Sequence, residues 1–266
     1  MNRIEEYYNK FNEDKRLKSR HGQVEFAVTM AKIKERLEYF MREGRGKEDV
    51  RIADIGAGCG AYSIPLCNEG YDVTAVELVK HNLGVMKKNC PHLKAYQGNA
   101  MDLKKLGDDS FDLVLMFGPL YHLYSNDDKI KALREAARIV KKSGVIMVAY
   151  TMNEYSILTY GFKEGHICEC LENGSIDKDF HVRASEENLY DYVTLSDIDA
   201  LNEAAGLRRM SIFSPDGAAD YMRICLNAMD EETFALFIDY QMSVCMRTDL
   251  IGAGSHTVDV LAADKA

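Results

Sequence analysis

The segment Asp54-Ile55-Gly56-Ala57-Gly58-Cys59-Gly60 has the residue types and spacing best suited to chemistry. It follows a short apolar run that reads as a strand, and it opens a helical stretch. Glycines at such a corner let backbone N–H groups approach a ligand closely, and a helix start favours polar or negative groups. Glu77 ends the next apolar run, 23 residues after Asp54. A carboxylate there can accept hydrogen bonds from a ribose diol. Gly56, Gly58 and Ala61 also satisfy the relaxed G-x-G-x-x-G/A dinucleotide fingerprint, so the motif alone fits more than one nucleoside cofactor. Asp54, just before the first glycine, would meet a cationic ligand better than a pyrophosphate. Asn99-Ala100-Met101-Asp102 follows a third strand-like run and puts polar groups where an adenine can be read.

A second group of residues follows the fourth apolar run, FDLVLMF, which ends at Phe117 before the rigid, donor-poor corner Gly118-Pro119. Tyr121 and His122 come next. The ordinary pKa of an imidazole suits proton uptake near neutrality, which makes His122 a candidate base; the alternative is a helix cap or a bond to a backbone carbonyl. Tyr121 either shapes a pocket or packs as a loop aromatic. Tyr150, Thr151 and Asn153 leave the fifth run on the same side and are candidates for a substrate pocket. Two further clusters read as bland. His166, Cys168, Cys170 and His181 lack the C-x₂₋₄-C pairs of zinc sites and read as ordinary thiols. Ser255-His256 lacks a G-x-S-x-G elbow, and turn chemistry after Gly252 and Gly254 explains it more simply.

These residues need a scaffold, and the pattern supplies one. A helix is expected from about Gly22 to Met41, with an apolar stripe from Val24 to Phe40. Apolar runs VRIADIG, YDVTAVE, LKAYQ, FDLVLMF and VIMVAY then alternate with helical stretches, as in a mostly parallel sheet covered on both faces. Between the last two, Asn126 is expected to cap a helix that carries Lys141 and Lys142 at its end and stops at Gly144. Residues 152–194 break the alternation and read as a cap inserted above the sheet. Ser196 is expected to cap a helix ending at Gly206. LRRMSIF, a helix from Asp230 to Arg247 and HTVDVLA complete the chain. The boundaries are therefore 1–49 for an N-terminal helical arm, 50–151 for the cofactor-binding core, 152–194 for the cap and 195–266 for completion of the sheet.

The runs VRIADIGAGCGAYS, YDVTAVE, QGNAMDL, FDLVLMFGPLYHL and ALREAARIVKKSGVIMVAYT together resemble the class I S-adenosylmethionine-dependent methyltransferases. The likeness is dense over residues 50–151 and looser from 181 on, through VTLSDIDALNEAAGLRRMSIF. GPLYHL resembles a bacterial small-molecule branch. The resemblance implies an α/β fold: a Rossmann-like, doubly wound, mostly parallel seven-stranded sheet with an antiparallel last strand. It implies S-adenosylmethionine as cofactor and S-adenosylhomocysteine as product. Asp54, Gly56, Ala57 and Gly58 match the motif around the methionine part, Glu77 the ribose acid, and Asn99 and Ala100 the adenine contacts; Leu78, Met101 and Phe117 join the same set. Cys59 departs from the family's Thr or Ser, mildly, because the backbone makes most contacts there. Tyr8 and Arg20 belong to a segment, with Tyr7, Arg16 and His21, expected to fold over the cofactor, and with Tyr150 and Asn153 they are expected to touch substrate. Methyl transfer from a sulfonium needs the nucleophile held in line and water excluded. The alternatives are a nicotinamide-dependent oxidoreductase and a protein that holds the methyl donor without turnover.

Composition narrows the partners. The chain has 266 residues, 47 % apolar and 28 % charged, enough to bury a core without staples. The net charge is -9, and residues 151–266 carry 21 acidic against 8 basic groups. A phosphate backbone needs clustered Lys and Arg, so nucleic acid is not expected as a partner. A small-molecule acceptor is. No apolar run approaches the roughly 20 residues that span a bilayer, so no membrane partner is expected. The charged N-terminus is not expected to be a secretory signal, and seven irregularly spaced Cys read as reduced thiols of a cytoplasmic protein.

Overall fold

The computed structural model describes residue 17, residues 19–42 and residues 44–265. Tyr8, with Tyr7 and Arg16, lies outside the described residues. Seven strands form one sheet: β1 (Arg51–Ile55), β2 (Asp72–Glu77), β3 (Lys94–Gln97), β4 (Phe111–Met116), β5 (Val140–Thr151), β6 (Leu207–Phe213) and β7 (His256–Ala263), in the order β3-β2-β1-β4-β5-β7-β6. The pairs from β3 through β5 are parallel, and β7 runs antiparallel to both of its neighbours. This is the Rossmann-like sheet with an antiparallel last strand that the sequence led us to expect.

Strand alternation divides the core in two. On one face Ile52, Val73, Leu113, Leu115 and Met147 pack against helix α1 (Arg20–Met41), α2 (Ser63–Asn68) and α3 (Lys80–Asn89), through residues such as Ile33, Leu37, Leu66 and Met86. On the other, Ala53, Ile55, Val114, Ile146 and Val148 pack against α4 (Asn126–Ile139) and, further along the chain, the helix Leu195–Ala205, through Leu133, Ala136, Ile198 and Leu201. Each such fully buried Leu, Ile or Val contributes about 1.5–3 kcal/mol of transfer free energy. Between these helices, α5 (Asn153–Ser156), a π-turn (Ile157–Lys163) and α6 (Ile167–Glu172) gather round their own small cluster of Ile157, Cys170 and Ile176. Leu195–Ala205 is α7, and α8 (Arg223–Ala228) and α9 (Glu231–Val244) precede β7.

Several expected boundaries move, each for a local reason. Ser125, not Asn126, caps α4: its hydroxyl accepts from the Asp128 amide. That helix ends at Ile139, so Lys141 and Lys142 belong to β5, and Gly144 lies within that strand rather than closing a helix. The Lys141 ammonium bonds both oxygens of the buried Asp112 instead of helix carbonyls. Thr194 caps α7 in place of Ser196, in a reciprocal box with Asp197. Gly206 does end that helix, in the left-handed conformation at φ 71°. The stretch after β1 turns through Tyr62 before α2 begins. Among the described residues, no helix is long and apolar enough to cross a membrane.

Candidate cofactor and acceptor site

A cavity of about 470 Å³ opens at the carboxyl ends of the parallel strands, where ligands of open α/β sheets bind. One half is built by β1 and β2. The turn after β1 is held by the Gly56 amide on the Val76 carbonyl at 2.7 Å. Gly56 has φ 75°, and a Cβ there would sit 2.6 Å from the Pro119 ring, so the glycine loop and the Gly118-Pro119 corner fit only without a side chain. Glu77, at the end of β2, is buried. One of its oxygens accepts from the Gly58 amide at 2.8 Å and the other from the Val79 amide at 2.7 Å. Burial raises the Glu77 pKa, against the pull of those amides.

Asp54 stands at the end of β1, buried, with its carboxylate accepting from the Ser63 hydroxyl at 2.5 Å. Burial pushes its pKa up to about 6; the Ser63 bond opposes this and the Glu77 charge adds to it. A cationic ligand group placed beside this buried carboxyl would stabilise it as the carboxylate. Asn99 folds its side chain onto the Met101 amide at 2.9 Å, closing the turn after β3.

The other half is aromatic. Tyr62 stacks on Phe26 and meets Phe117 edge-on at 5.1 Å. Tyr121, His122 and Tyr190 form a wall, with ring centroids 5.4 to 6.4 Å apart. The His122 Nδ1 lies 2.9 Å from the Leu189 carbonyl, and burial lowers its pKa while that bond raises it. The loop bearing Tyr190 and Tyr192 is fixed by a buried ion pair, Lys129 Nζ to Asp191 at 2.5 Å. Two backbone acceptors complete the anchor: the Asp191 amide donates to the Tyr121 carbonyl, and the Thr151 hydroxyl to the Asp191 carbonyl. Glu25 from α1, Tyr155, Asp220, Arg223, Ser255 and His256 line the remaining side.

Of the residues singled out from the sequence, Asp54, Gly56, Ala57, Gly58, Glu77, Leu78, Asn99, Met101, Phe117, Tyr121 and His122 all line this one cavity. Ala100 does not; it is buried in the core on the far face. Tyr150 also packs in that core, because strand alternation turns it away and turns Thr151 toward the cavity. Its hydroxyl is buried without a partner, and burial raises its pKa. Asn153 is used structurally: it accepts from the Val182 amide and donates to the Phe180 carbonyl. Arg20 is drawn to α9, where it bonds Glu231 at 2.6 Å and covers the Phe234 ring. His166, Cys168, Cys170 and His181 do not converge; Cys168 is exposed, Cys170 buried, and His181 faces Asp197.

His256 is the residue the sequence reading undervalued. It is a cavity wall rather than a turn residue, with its Nδ1 2.7 Å from the buried Asp216 carboxylate. The signal was available: an antiparallel last strand begins where the parallel strands end, and His256 pairs in register with Thr151.

Residues 53–148 match the family described as a methyltransferase domain. Demethylmenaquinone methyltransferase of Renibacterium salmoninarum is 35% identical over 112 residues, 42% of this chain and 44% of that protein. Glycine/sarcosine N-methyltransferase of Aphanothece halophytica is 28% identical, over 48% of this chain and 50% of that protein. The chain thus spans about half the length of the curated relatives it matches. Among solved structures, the CcbJ methyltransferase from Streptomyces caelestis superposes with a TM-score of 0.56 at 15% identity, covering 98% of this chain and 96% of that one. A SAM-dependent methyltransferase from Thermotoga maritima gives 0.55 at 18% identity, covering 97% and 98%. Residues 53–148 thus match the methyltransferase-domain family, and the chain shares the fold of solved SAM-dependent methyltransferases.

Proposed function

We propose that the protein transfers a methyl group from S-adenosylmethionine to a small-molecule acceptor. The observation that carries this reading is Glu77. Its buried carboxylate is held by two backbone amides at the mouth of the glycine loop, which aligns it to accept from a ribose diol. Asp54, buried and bonded to the Ser63 hydroxyl, suits the cationic methionine end. Asn99 and Met101 would flank the adenine, with Leu78 and Phe117 beside it. When bound, the cofactor supplies an electrophilic methyl on a sulfonium. The protein's own contribution is to hold the acceptor in line and keep water out.

The aromatic half, with Tyr62, Tyr121, His122, Tyr155, Tyr190 and Tyr192, suits a small organic acceptor rather than a polymer. The relatives named for quinone-precursor and glycine/sarcosine methylation also act on small molecules. The acidic C-terminal part disfavours a phosphate backbone as partner. We read residues 152–194 as a cap that encloses the acceptor, and the reduced thiols as those of a cytoplasmic enzyme. The test is calorimetric titration with S-adenosylmethionine, S-adenosylhomocysteine and reduced nicotinamide cofactor in parallel, followed by transfer of labelled methyl to an acceptor panel. Binding of the two sulfur compounds alone is expected. Binding of the nicotinamide alone would overturn the reading in favour of an oxidoreductase. Donor binding without transfer to any acceptor would favour a holding protein.

A further inference from the structure

Two imidazoles line the acceptor half of the cavity, and they differ in what faces them. The His122 Nδ1 meets a neutral carbonyl, that of Leu189. The His256 Nδ1 meets the carboxylate of Asp216 at 2.7 Å, with a second carboxylate, Glu25 from α1, at 3.9 Å. Asp216 is 1% exposed, and its two oxygens also accept from the His256 backbone amide at 3.2 and 3.1 Å. One carboxylate thus fixes both the backbone and the ring of the same histidine. The Tyr121 ring lies 5.8 Å from the His256 ring, placing His256 on the wall that Tyr121 and His122 continue.

We infer that His256, oriented by Asp216, is the proton acceptor for a methyl acceptor whose reacting oxygen or nitrogen carries a proton. The inference rests on the methyltransferase reading above. A proton held between Nδ1 and the carboxylate puts the basic lone pair of the neutral ring on Nε2, and the carboxylate stabilises the imidazolium that forms. In the step, the acceptor's X–H bond breaks and its proton passes to Nε2. The X–CH₃ bond forms as the methyl–sulfur bond breaks, its electron pair staying on sulfur to give the neutral thioether. The imidazolium then returns its proton to water. His256 is the catalytic residue and Asp216 a positioning residue. Burial pushes the Asp216 pKa up to about 6, opposed by His256. Among the described residues, the charged groups facing the pair include Glu25 from α1 and Asp220 from the loop before α8. Asp220 is itself engaged by Arg223 at 2.5 Å and lies 3.7 Å from His21.

The test does not require the acceptor. Rates of diethyl pyrocarbonate addition to His256 are followed by peptide mass spectrometry on the full chain across pH 5 to 9 (the reagent attacks a neutral ring nitrogen). Each run is made without ligand, with S-adenosylhomocysteine and with sinefungin, which carries an amine where the donor carries its methyl. Reaction of His256 with a titration midpoint at or above the ordinary imidazole value of about 6.5 is expected. Sinefungin should slow it at least about threefold more than S-adenosylhomocysteine does. Asp216→Asn should move the midpoint down by about one pH unit or more, and Glu25→Gln should move it down by less. A midpoint well below the ordinary value, or no extra protection by sinefungin while calorimetry reports both ligands bound, would overturn the proposal without touching the cofactor reading; these two results need no variant to fold. A stoichiometric metal ion in the isolated protein, whose removal exposes His256, would assign Glu25, Asp216 and His256 to metal binding instead. Failure of both sulfur compounds to bind would overturn the methyltransferase reading itself, and this inference with it.

Discussion

Asp54 and Glu77 carry opposite demands on one site. Both are buried acids, and the Glu77 charge raises the cost of ionising Asp54. A cationic ligand beside Asp54 relieves that cost. The Asp54 pKa, near 6 in the free protein, should fall when the donor binds, so binding releases a proton. Donor affinity should therefore fall as pH drops below about 6, and calorimetry in buffers of different ionisation heat should report proton release near that pH. Without ligand the linkage runs the other way. The folded state holds the Asp54 proton above its ordinary value of 3.8, so stability should decline as pH rises from there to about 6. Glu77→Ala removes the acceptor of two loop amides and, in our reading, of the ribose diol. It should raise the dissociation constant for S-adenosylhomocysteine at least about tenfold, or about 1.4 kcal/mol. Glu77→Gln, which keeps one oxygen, should lie between. A loss of melting temperature with unchanged affinity would leave Glu77 a structural acid only.

Elements bring these residues together, and they account for what the sequence disclosed. The order of strands and helices was legible because each buried strand is a short apolar run ended by Gly, Pro or a polar cap, as in FDLVLMF before Gly118. The glycine-loop half of the cavity followed from it, since Asp54, Glu77 and Asn99 each stand near or just beyond a strand's carboxyl end. The aromatic half did not. Glu25, Tyr190, Asp220 and His256 come from an early helix, two loops and the last strand, and no spacing relates them. Tyr150 stands at the same end of β5 as Thr151 but faces the core, because successive strand residues point to opposite faces. The loop carrying Tyr190 depends on an anchor equally silent in sequence: Lys129 in α4 and Asp191, both 4% exposed. Lys129→Met leaves Asp191 buried and unpaired, and should destabilise the protein by about 3–5 kcal/mol, the cost of breaking such a pair from one side. Denaturant titration measures it. Addition of Asp191→Asn should recover part of the loss, because a neutral amide needs no counter-charge.

At the scale of the molecule, the sheet separates two apolar cores, while the cavity sits at the carboxyl ends of its parallel strands, where glycine turns, aromatic rings and α1 meet. That arrangement lets the scaffold be rigid while the site tolerates buried acids: Asp54 and Glu77 are held by hydrogen bonds from a hydroxyl and from backbone amides, and Asp216 by the backbone and ring of His256. Such acids cost stability in the free protein and are the groups a complementary ligand compensates. Ligand binding to the folded state alone adds about 2.7 kcal/mol at about 100 times the dissociation constant. For a chain of this size that corresponds to a rise in melting temperature of roughly 5–10 °C. S-adenosylmethionine, with its sulfonium, should also gain more than S-adenosylhomocysteine as pH rises from 5 to 8, because only the former brings a second positive charge toward the ionising Asp54. A thermal-shift series over that pH range reads both. Equal gains for the two ligands at every pH would place the sulfonium away from Asp54, leaving the ammonium common to both ligands as the group that carboxylate holds.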